Sequence, residues 1–392
     1  MNQASLCPSA NWSYPTSVHF GPGRLKELPE ACAAAGIRRP LLVTDPGLAA
    51  FPMVKRAQEL LASAGLEPAL FSDLKPNPVY RNVDDGMGAF RAGSHDGVVA
   101  MGGGSALDTG KAIAFQVGQR RPIWDFEDVS DWWTRADADA IRPVVAIPTT
   151  AGTGSEVGRA AVILNEATNR KYIIFHPRMM PRVVIADAEL TVALPPPLTA
   201  ATGMDALAHN LEAYCSPSYH PLAEGIALEG MRLIKEWLPL AYRDGRNLAA
   251  RGHMMSAASM GAAAFQKGLG AIHAMSHPIG ALYDTHHGLT NAVVMPYVLA
   301  RNRAAIAEKM ARTARYLALE GGSFEAMLAW VVALRRELKI PHTLAELGVE
   351  EKRIPELARM AAEDPNNGGN PPPLTGEDYE ALFADAIRGR LG

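Results

Sequence analysis

The spacing of hydrophobic positions changes near the middle of the chain. In the first half, short and continuously apolar runs alternate with segments of helical periodicity. The runs that predict buried strands are residues 41–45, 97–101, 144–148 and 182–187. Helical spacing over residues 52–64 and 104–117 predicts βαβ units and a largely parallel sheet. Residues 160–164 and 172–175 are a candidate hairpin.

The second half is dominated by helical periodicity and has few strand-like runs. The proline cluster Pro195–Pro197 ends the preceding element, and Thr199 is a candidate cap for a new helix. The helical segments that follow are residues 199–215, 222–242, 247–266, 304–319, 323–338 and 376–390. Residues 363–376 are dense in Gly, Asn and Pro, which predicts a loop. We therefore expect an α/β half, a boundary near Pro195–Pro197, and an all-helical half.

Composition excludes several functional classes. The 38 basic and 41 acidic residues give a net charge of -3, which offers no basis for binding nucleic acid or an anionic membrane. The cysteines Cys7, Cys32 and Cys215 are widely spaced, which argues against a disulfide framework and favours a reducing cytoplasm. Neither a signal peptide nor an apolar run of membrane-spanning length is visible. A soluble cytoplasmic protein is expected.

A glycine-rich segment joins the strand at 97–101 to the next helix. Gly102, Gly103 and Gly104 are followed by Ser105, a candidate N-cap for a helix that begins near Ala106. Unobstructed backbone amides at a helix start can hold a pyrophosphate, although this segment is neither GxGxxG nor a P-loop. A second loop rich in Gly and Thr, residues 148–158, follows the next strand. Ligands bind at the carboxyl ends of parallel strands, so both loops are candidate nucleotide contacts.

Asp45 ends the first predicted strand of the α/β half. A carboxylate at that place can accept from a ribose hydroxyl and would repel a 2′-phosphate, which favours NAD over NADP. In the usual Rossmann pattern the acid follows the glycine loop, whereas Asp45 precedes it. Asp45-Pro46-Gly47 is also a typical turn sequence, so a purely local role stays open.

Carboxylate and imidazole groups are concentrated in two segments of the helical half. Asp205 and His209 are four residues apart in a predicted helix, so they share a face and can chelate one ion. Taken alone, this pair is more often a surface or capping pair. His273 and His287 would be roughly 21 Å apart on a straight helix, so they share an ion only if the chain breaks between them.

Pro278, Gly280 and Gly288 offer places for that break, which we expect around Pro278–Gly280. His277 lies on the face of His273, and His286 points away from the face used by the ligands. One carboxylate and three imidazoles without cysteine suit Fe(II) or Zn(II).

Together these segments resemble the iron-containing, or group III, alcohol dehydrogenase family. The resemblance covers nearly the whole chain, in the family's order. Its motifs are PTSVHFGPG (15–23), DLKPNPVYRNVDDG (73–86), GGGSALDTGK (102–111), PTTAGTGSEV (148–157), PRMMPRVVIADAELT (177–191), GMDALAHNLEAY (203–214) and HAMSHPIGALYDTHHGLTNA (273–292). The chain is identified as a member of that family.

The resemblance implies a dehydroquinate synthase-like architecture. Residues 1–195 would form a Rossmann-like dinucleotide-binding domain and residues 196–392 an all-helical domain that binds metal and substrate. The implied metal ligands are Asp205, His209, His273 and His287, with His277 as the catalytic histidine near the metal. The implied nucleotide contacts are Asp45, Gly103, Gly104, Ser105, Asp108, Thr149, Thr150 and Lys171. The cofactors would be NAD, with NADP less favoured, and Fe(II), with Zn(II) as the alternative.

The implied reaction is hydride transfer between the nicotinamide and a small alcohol or aldehyde, in a homodimer. Two alternatives stay open: a hydroxyacid–oxoacid transhydrogenase that retains its nucleotide, and a dehydroquinate-synthase-like lyase. A non-catalytic binding protein is a third. Gly158 and His286 depart from the family pattern near the expected substrate pocket, so the substrate itself is not identified.

Overall fold

The computed structural model describes residues 10–12, by their backbone, and residues 14–391. Cys7 lies outside the described residues, as does most of the N-terminal segment searched for a signal peptide. The chain divides into two compact units. The first comprises the residues up to Thr150 together with Gly154–Ala193, and the second comprises Ala151–Thr153 and the residues from Leu194 onward.

The first unit is built on a seven-stranded sheet. The strands of the unit are β1 (Ala10–Trp12), β2 (Ser17–Phe20), β3 (Pro40–Val43), β4 (Ala69–Phe71), β5 (Gly97–Gly102), β6 (Val144–Pro148), β7 (Ala160–Asn165), β8 (Arg170–Phe175) and β9 (Val183–Ala186). The sheet order is β1-β2-β9-β6-β5-β3-β4, and every neighbouring pair is parallel except β1 with β2. Strands β7 and β8 form a separate antiparallel hairpin. The predicted α/β class with a largely parallel sheet is confirmed.

Helices cover this sheet and bury its central strands. They are α1 (Leu28–Ala34), α2 (Pro46–Ala49), α3 (Pro52–Ser63), α4 (Tyr80–Ala92) and α5 (Gly104–Gln116). Every residue of β5 and β6 is buried, which explains their continuously apolar sequences. One core cluster packs Leu28 of α1 and Leu61 of α3 against Val99 and Val145 of the sheet. These contacts hold β5 and β6, and therefore the loops that follow them, in fixed register.

The regular elements of the second unit are all helices among its described residues. Its helices are α6 (Pro196–Cys215), α7 (Pro221–Arg243), α8 (Leu248–Ala264), α9 (Ala271–Tyr283), α10 (His287–Tyr316), α11 (Phe324–Glu337), α12 (Ile354–Ala362) and α13 (Gly376–Arg388). The central helix is α6, which packs against α7, α8 and α10. The all-helical prediction is confirmed, and none of the helices among the described residues is long and apolar enough to cross a membrane.

Helix α6 begins earlier than expected, because prolines occupy its first turn. Proline has no N–H to lose at the first helical position, so the Pro195–Pro197 cluster starts the helix instead of preceding it. Thr199 is therefore not the N-cap, and that prediction is wrong. Its hydroxyl donates to the Leu194 carbonyl at 3.3 Å and accepts from Arg251 Nη1 at 2.8 Å.

The chain break between His273 and His287 lies at residues 284–286, so the expected break around Pro278–Gly280 is wrong. Pro278 and Gly280 are internal to α9 and buried. Helix α9 ends at Tyr283, and Asp284 follows in the left-handed conformation with φ 51° and ψ 34°. Aspartate adopts that conformation more readily than most residues, and it cannot continue a right-handed helix. His286 then caps α10 by accepting from the Leu289 amide at 3.3 Å.

Candidate functional site

Three side chains of the second unit bring potential metal-ligand atoms together. Asp205 in α6, His273 in α9 and His287 at the first turn of α10 each offer one atom, and these atoms lie within 4.8 Å of one another. Asp205 Oδ1 is 3.7 Å from His287 Nε2. The break at 284–286 makes this possible, because it lets α10 return beside α6 with His287 facing Asp205.

His209 lies one turn after Asp205 and is buried, but its ring nitrogens do not join the group of three. Its ring stacks on that of His273, with 4.7 Å between the centroids. Burial lowers the pKa of His209 to about 4, so its imidazole is neutral, which is the form that binds metals. His209 Nδ1 is buried without a hydrogen-bond partner. A neutral imidazole with an unpartnered Nδ1, beside a carboxylate and two further imidazoles, fits a divalent-ion site.

Asn291, one turn after His287 in α10, contacts all three converging side chains and was not identified from the sequence. Its Nδ2 lies 2.7 Å from Asp205 Oδ1, 3.3 Å from His273 Nε2 and 3.2 Å from His287 Nε2. The side chain is fully buried, and its Oδ1 has no partner. The carboxamide thus holds the three atoms close together by hydrogen bonding.

Glu212 orients His273 from the side opposite the converging atoms. Its Oε2 lies 2.5 Å from His273 Nδ1, and its Oε1 accepts from the Ile272 amide at 2.7 Å. Burial alone would lower the pKa of His273, but the Glu212 carboxylate outweighs burial and raises it. Carboxylate–histidine pairs of this kind fix the ring and the tautomer of metal-binding histidines. The signal was present in the sequence, since Asp205, His209 and Glu212 follow i, i+4, i+7 spacing on one face of α6.

His277 lies one turn after His273 and next to the converging atoms. Its ring is stacked on that of His287 at 5.6 Å and lies 6.2 Å from that of His273. Its Nδ1 is 2.8 Å from Oδ2 of Asp364, which the sequence analysis assigned only to a loop.

The residues that directly follow β5 and β6 in the first unit adjoin at the carboxyl ends of these strands. Gly102 pairs with Pro148, and the Thr149 amide donates to the Gly102 carbonyl at 2.9 Å. Gly102 has φ +149°, and a Cβ there would lie 2.7 Å from that of Ala106, so glycine is required. Helix α5 begins at Gly104 with Gly103 as N-cap and no capping side chain. Its first amides are therefore not satisfied by a side-chain cap, which fits a phosphate-binding turn.

Ser105 is not the N-cap that its sequence position indicated, because the helix already starts at Gly104. Its hydroxyl donates to the Pro76 carbonyl instead. Thr150 lies beside Gly103, 3.3 Å from where a Cβ would stand. Lys171 on β8 donates to Asn77 Oδ1 at 2.8 Å.

The carboxylate of Asp108 makes contacts within the first unit. Oδ1 accepts from Ser155 Oγ at 2.6 Å, and Oδ2 accepts from the Val162 amide at 2.9 Å. Buried Lys111 lies 3.2 Å from Oδ1. These contacts join α5 to the second loop and to β7, which gives Asp108 a structural role.

Asp45 combines a capping contact with a position next to the glycine loop. Its Oδ1 accepts from the Leu48 amide at 3.0 Å and so caps α2. Its Oδ2 lies 3.4 Å from the position of a Cβ on Gly102. Asp45 therefore caps the local turn with one carboxylate oxygen and places the other oxygen beside the glycine loop.

A parallel α/β unit with adjoining glycine loops, and a helical unit that gathers a carboxylate with histidines, are the features of metal-dependent nicotinamide dehydrogenases. The family model for iron-containing alcohol dehydrogenase matches residues 15–188, and that for the C-terminal part of the Fe-containing alcohol dehydrogenase family matches residues 199–387. The chain belongs to the iron-containing alcohol dehydrogenase family, and the resemblance inferred from the sequence is confirmed.

Similar proteins span the whole chain. A 4-hydroxybutyrate dehydrogenase of Cupriavidus necator is 37% identical, over 95% of this chain and 99% of that protein. An NAD-dependent methanol dehydrogenase of Bacillus methanolicus is 36% identical, over 96% of this chain and 100% of that protein. The crystal structure of a 1,3-propanediol oxidoreductase superposes with a TM-score of 0.90 at 36% identity, covering 97% of this chain and 100% of that one.

Proposed function

We propose that this protein is a metal-dependent, NAD-linked dehydrogenase that interconverts a small primary alcohol and its aldehyde. Membership of the family makes the chain an oxidoreductase of the alcohol dehydrogenase type. The observation that carries the proposal is the convergence of Asp205, His273 and His287, with neutral His209 beside them.

The proposed metal is Fe(II), with Zn(II) as the alternative, held by Asp205, His209, His273 and His287. A hard carboxylate combined with imidazoles and no thiolate suits these first-row ions. Two observations support this assignment: the otherwise unpartnered Nδ1 of buried His209, and the carboxylate of Glu212 behind His273.

The proposed dinucleotide is NAD, and residues 1–195 are its proposed domain. Gly103, Gly104, Ser105, Thr149 and Thr150 lie around the start of α5 and are proposed to hold the pyrophosphate. Lys171 is a further candidate nucleotide contact, and Asp108 is one only through the loop that its carboxylate supports. Asp45 is proposed to accept from the ribose and to disfavour NADP. Its Oδ2 faces the glycine loop, while Oδ1 is committed to the cap of α2.

The substrate class follows from the similar proteins. The names 4-hydroxybutyrate, methanol and 1,3-propanediol all describe molecules with a primary hydroxyl group. A small primary alcohol, or its aldehyde in the reverse direction, is therefore the proposed substrate of this chain.

A bound divalent ion would supply a Lewis acid for the alcohol oxygen, and NAD would supply the hydride acceptor. The chain's own residues would orient the reactants and manage the proton. His277 is the proposed proton acceptor during alcohol oxidation and the proton donor during aldehyde reduction. Its position next to His273 and His287 supports that role.

The proposed setting is a homodimer in the cytoplasm. Two-fold dimers are the commonest assembly of soluble enzymes, which supports the oligomeric state. Cys32 and Cys215 are both unpaired and buried, which supports a reducing compartment. Residues 196–392 are the proposed domain for metal and substrate.

The proposal is tested on anaerobically purified protein. We expect about one iron or zinc ion per chain by mass spectrometry, and NAD reduction by absorbance across a panel of primary alcohols. His273→Ala should remove both the metal and the turnover. His253→Ala, which removes a partly buried imidazole stacked on Trp237 at 4.2 Å, is the matched control and should retain both.

Retained metal and activity in His273→Ala would overturn the assignment. Sustained turnover without added NAD, with a 2-oxoacid as acceptor, would instead identify a transhydrogenase that keeps its nucleotide.

A further inference from the structure

A carboxylate from a distant loop is hydrogen-bonded to His277. Asp364 Oδ2 lies 2.8 Å from His277 Nδ1, although the two residues are 87 positions apart. Their side chains are only 8% and 10% exposed. Neither residue belongs to the converging group of Asp205, His273 and His287.

The other oxygen of Asp364 is held by two hydrogen-bond donors. Oδ1 accepts from the backbone amide of Asn366 and from its side-chain Nδ2, each at 2.9 Å. The first of these contacts caps the 3-10 turn Pro365–Gly369. Burial favours the neutral acid, but the interaction with His277 and the donors from Asn366 outweigh burial and lower the pKa of Asp364. Asp364 is therefore an ionised acceptor on both oxygens.

This arrangement selects one tautomer of His277. A carboxylate can only accept, so Nδ1 of His277 must carry the proton that it donates to Oδ2. Nε2 of a neutral His277 is then left with a free lone pair.

We propose that Asp364 is the positioning residue for His277, fixing the Nδ1–H tautomer so that Nε2 can exchange a proton with the substrate. This inference rests on the proposed function. In alcohol oxidation, the hydroxyl proton would pass to Nε2, and NAD, when bound, would supply the acceptor for the carbinol hydride as the C–O bond becomes a carbonyl. Reduction of the aldehyde reverses each transfer.

The second carboxylate–histidine pair supplies an internal comparison. Glu212 contacts His273 in the same way, but His273 is a proposed metal ligand and His277 is not. Loss of Glu212 should therefore weaken metal binding, whereas loss of Asp364 should slow turnover and leave the metal in place. Replacing Glu212 and Asp364 one at a time therefore distinguishes a carboxylate that supports a metal ligand from one that positions the proton-transferring histidine.

Asp364→Asn is an informative substitution because it should invert the tautomer. The two donors of Asn366 demand an acceptor, so the new carboxamide turns its oxygen toward them and its NH2 toward His277 Nδ1. Nδ1 must then accept, and Nε2 carries the proton. Asp364→Glu keeps the charge and should recover part of the lost activity.

The experiment compares full-length wild type, Asp364→Asn, Asp364→Glu and Glu212→Gln. Asp378→Asn, which alters a more exposed capping carboxylate of α13, is the control and should resemble wild type. For Asp364→Asn we expect kcat to fall roughly 10²–10⁴-fold, the range for general acid–base groups, with KM changed by less than about threefold and metal content unchanged.

Nitrogen NMR of histidine-labelled, zinc-loaded protein reads the tautomer directly, with the His277 signals assigned by their loss in His277→Gln. We expect Nδ1–H in wild type and Nε2–H in Asp364→Asn. An unchanged tautomer, wild-type kcat, or a loss of metal equal to that of Glu212→Gln would overturn the proposal. If wild type reduces no NAD with any alcohol, the proposed function fails, and the tautomer result still decides the role of Asp364.

Discussion

The amide nitrogen of Asn291 is the closest neighbour shared by the three converging ligand atoms. Without a cation, a carboxylate and two imidazole nitrogens crowded together would present lone pairs to one another. The Asn291 NH2 group relieves this by donating into the space between them, at 2.7 to 3.3 Å. The residue therefore holds the three ligand atoms together in the metal-free protein, and a bound metal would take the same lone pairs from it.

We predict that Asn291→Ala binds metal about tenfold more tightly, because its amide hydrogens no longer compete with the metal for the same lone pairs, and a hydrogen bond to a charged group contributes about 1.5–3 kcal/mol. The measurement is a competition titration of the metal-free protein with zinc and a chelating dye. The matched control is Asn302→Ala. Asn302 is a second buried asparagine of α10, and it pairs with Asn370 instead of the ligand atoms. Equal zinc affinity in the two variants would contradict this role.

The spacing of residues along the sequence predicted which side chains share one helix face. It did not predict which distant residues contact them in the folded chain. Asp205 and His209 were identified because i, i+4 spacing is visible in sequence. Asp364 reaches His277 from 87 residues away, within a loop whose Gly, Asn and Pro content predicted no function. No sequence period connects such residues, so only the folded chain shows that they meet.

At the scale of the elements, helices α10 and α6 can approach closely only because residue 288 is glycine. A Cβ on Gly288 would lie 2.5 Å from the Ala201 carbonyl oxygen and 2.9 Å from the Cβ of Asp205. Backbone atoms of α6 cannot move aside as a flexible side chain could. Gly288 is therefore a close-contact residue between two helices that both carry proposed ligands.

We predict that Gly288→Ala pushes α10 away from α6 and displaces His287 from Asp205. Zinc affinity should fall at least tenfold, and the melting temperature should fall because the closely packed helices are forced apart. Gly376→Ala is the control, since a Cβ at that position has no atom within 4 Å. The idea fails if Gly288→Ala binds zinc as wild type does in calorimetric titration.

A charged cluster joins three helices at the carboxyl end of α6. Glu224 on α7 accepts from Lys309 of α10 at 2.9 Å and lies 3.1 Å from buried Lys267. Lys267 in turn donates to the carbonyls of Ala213 and Ser216, which end α6. Burial favours protonated Glu224, but the hydrogen bonds from Lys309 and Lys267 outweigh burial and lower its pKa.

We predict that Glu224→Gln loses about 1.5–3 kcal/mol of stability near neutral pH, the range for hydrogen bonds to charged groups. Because the folded-state pKa is below the ordinary 4.5, the contribution is present above that value and is lost as pH falls through the folded pKa. The difference between variant and wild type in urea unfolding should therefore shrink below about pH 4.5. Glu308→Gln, at an exposed position of α10, should show no difference at any pH.

At the scale of the whole molecule, one buried free cysteine lies in each compact unit among the residues that the structure describes. Cys32 belongs to the first unit and Cys215 to the second. Burial raises the pKa of each thiol to about 12. At pH 8 only about 10⁻⁴ of each is thiolate, and neither is accessible to a reagent.

We predict that iodoacetamide at pH 8 leaves Cys32 and Cys215 unmodified in the native protein and modifies both in guanidinium. Peptide mass spectrometry separates the two sites. Repeating a brief iodoacetamide treatment at increasing urea concentrations gives an unfolding midpoint for each unit from the modification of its cysteine. Rapid native alkylation of either cysteine would show that its unit opens without global denaturation.

Strands buried on both faces were predictable from the sequence, whereas helices were missed where they contain glycines or lack a polar face. Strands β5 and β6 are buried on both faces, so their apolar runs are plain in the sequence. Helix α4 includes glycines and acidic residues and was not predicted. Helix α10 was expected from residue 304 but begins at His287. Its start was missed because the first turns are almost wholly buried and lack the polar face that marks a helical period.

Residues 284–286 form a three-residue linker between α9 and α10, and its length determines where α10 starts. These residues are not helical, so adding or removing one would change the span between the two helices by up to about 3.6 Å and would change the direction in which α10 starts. Substitutions in this segment keep the length of the linker, whereas a single insertion or deletion does not. Libraries that vary residues 284–286 should therefore keep their length constant, and length variants should fold as helices yet carry His287 on the wrong side.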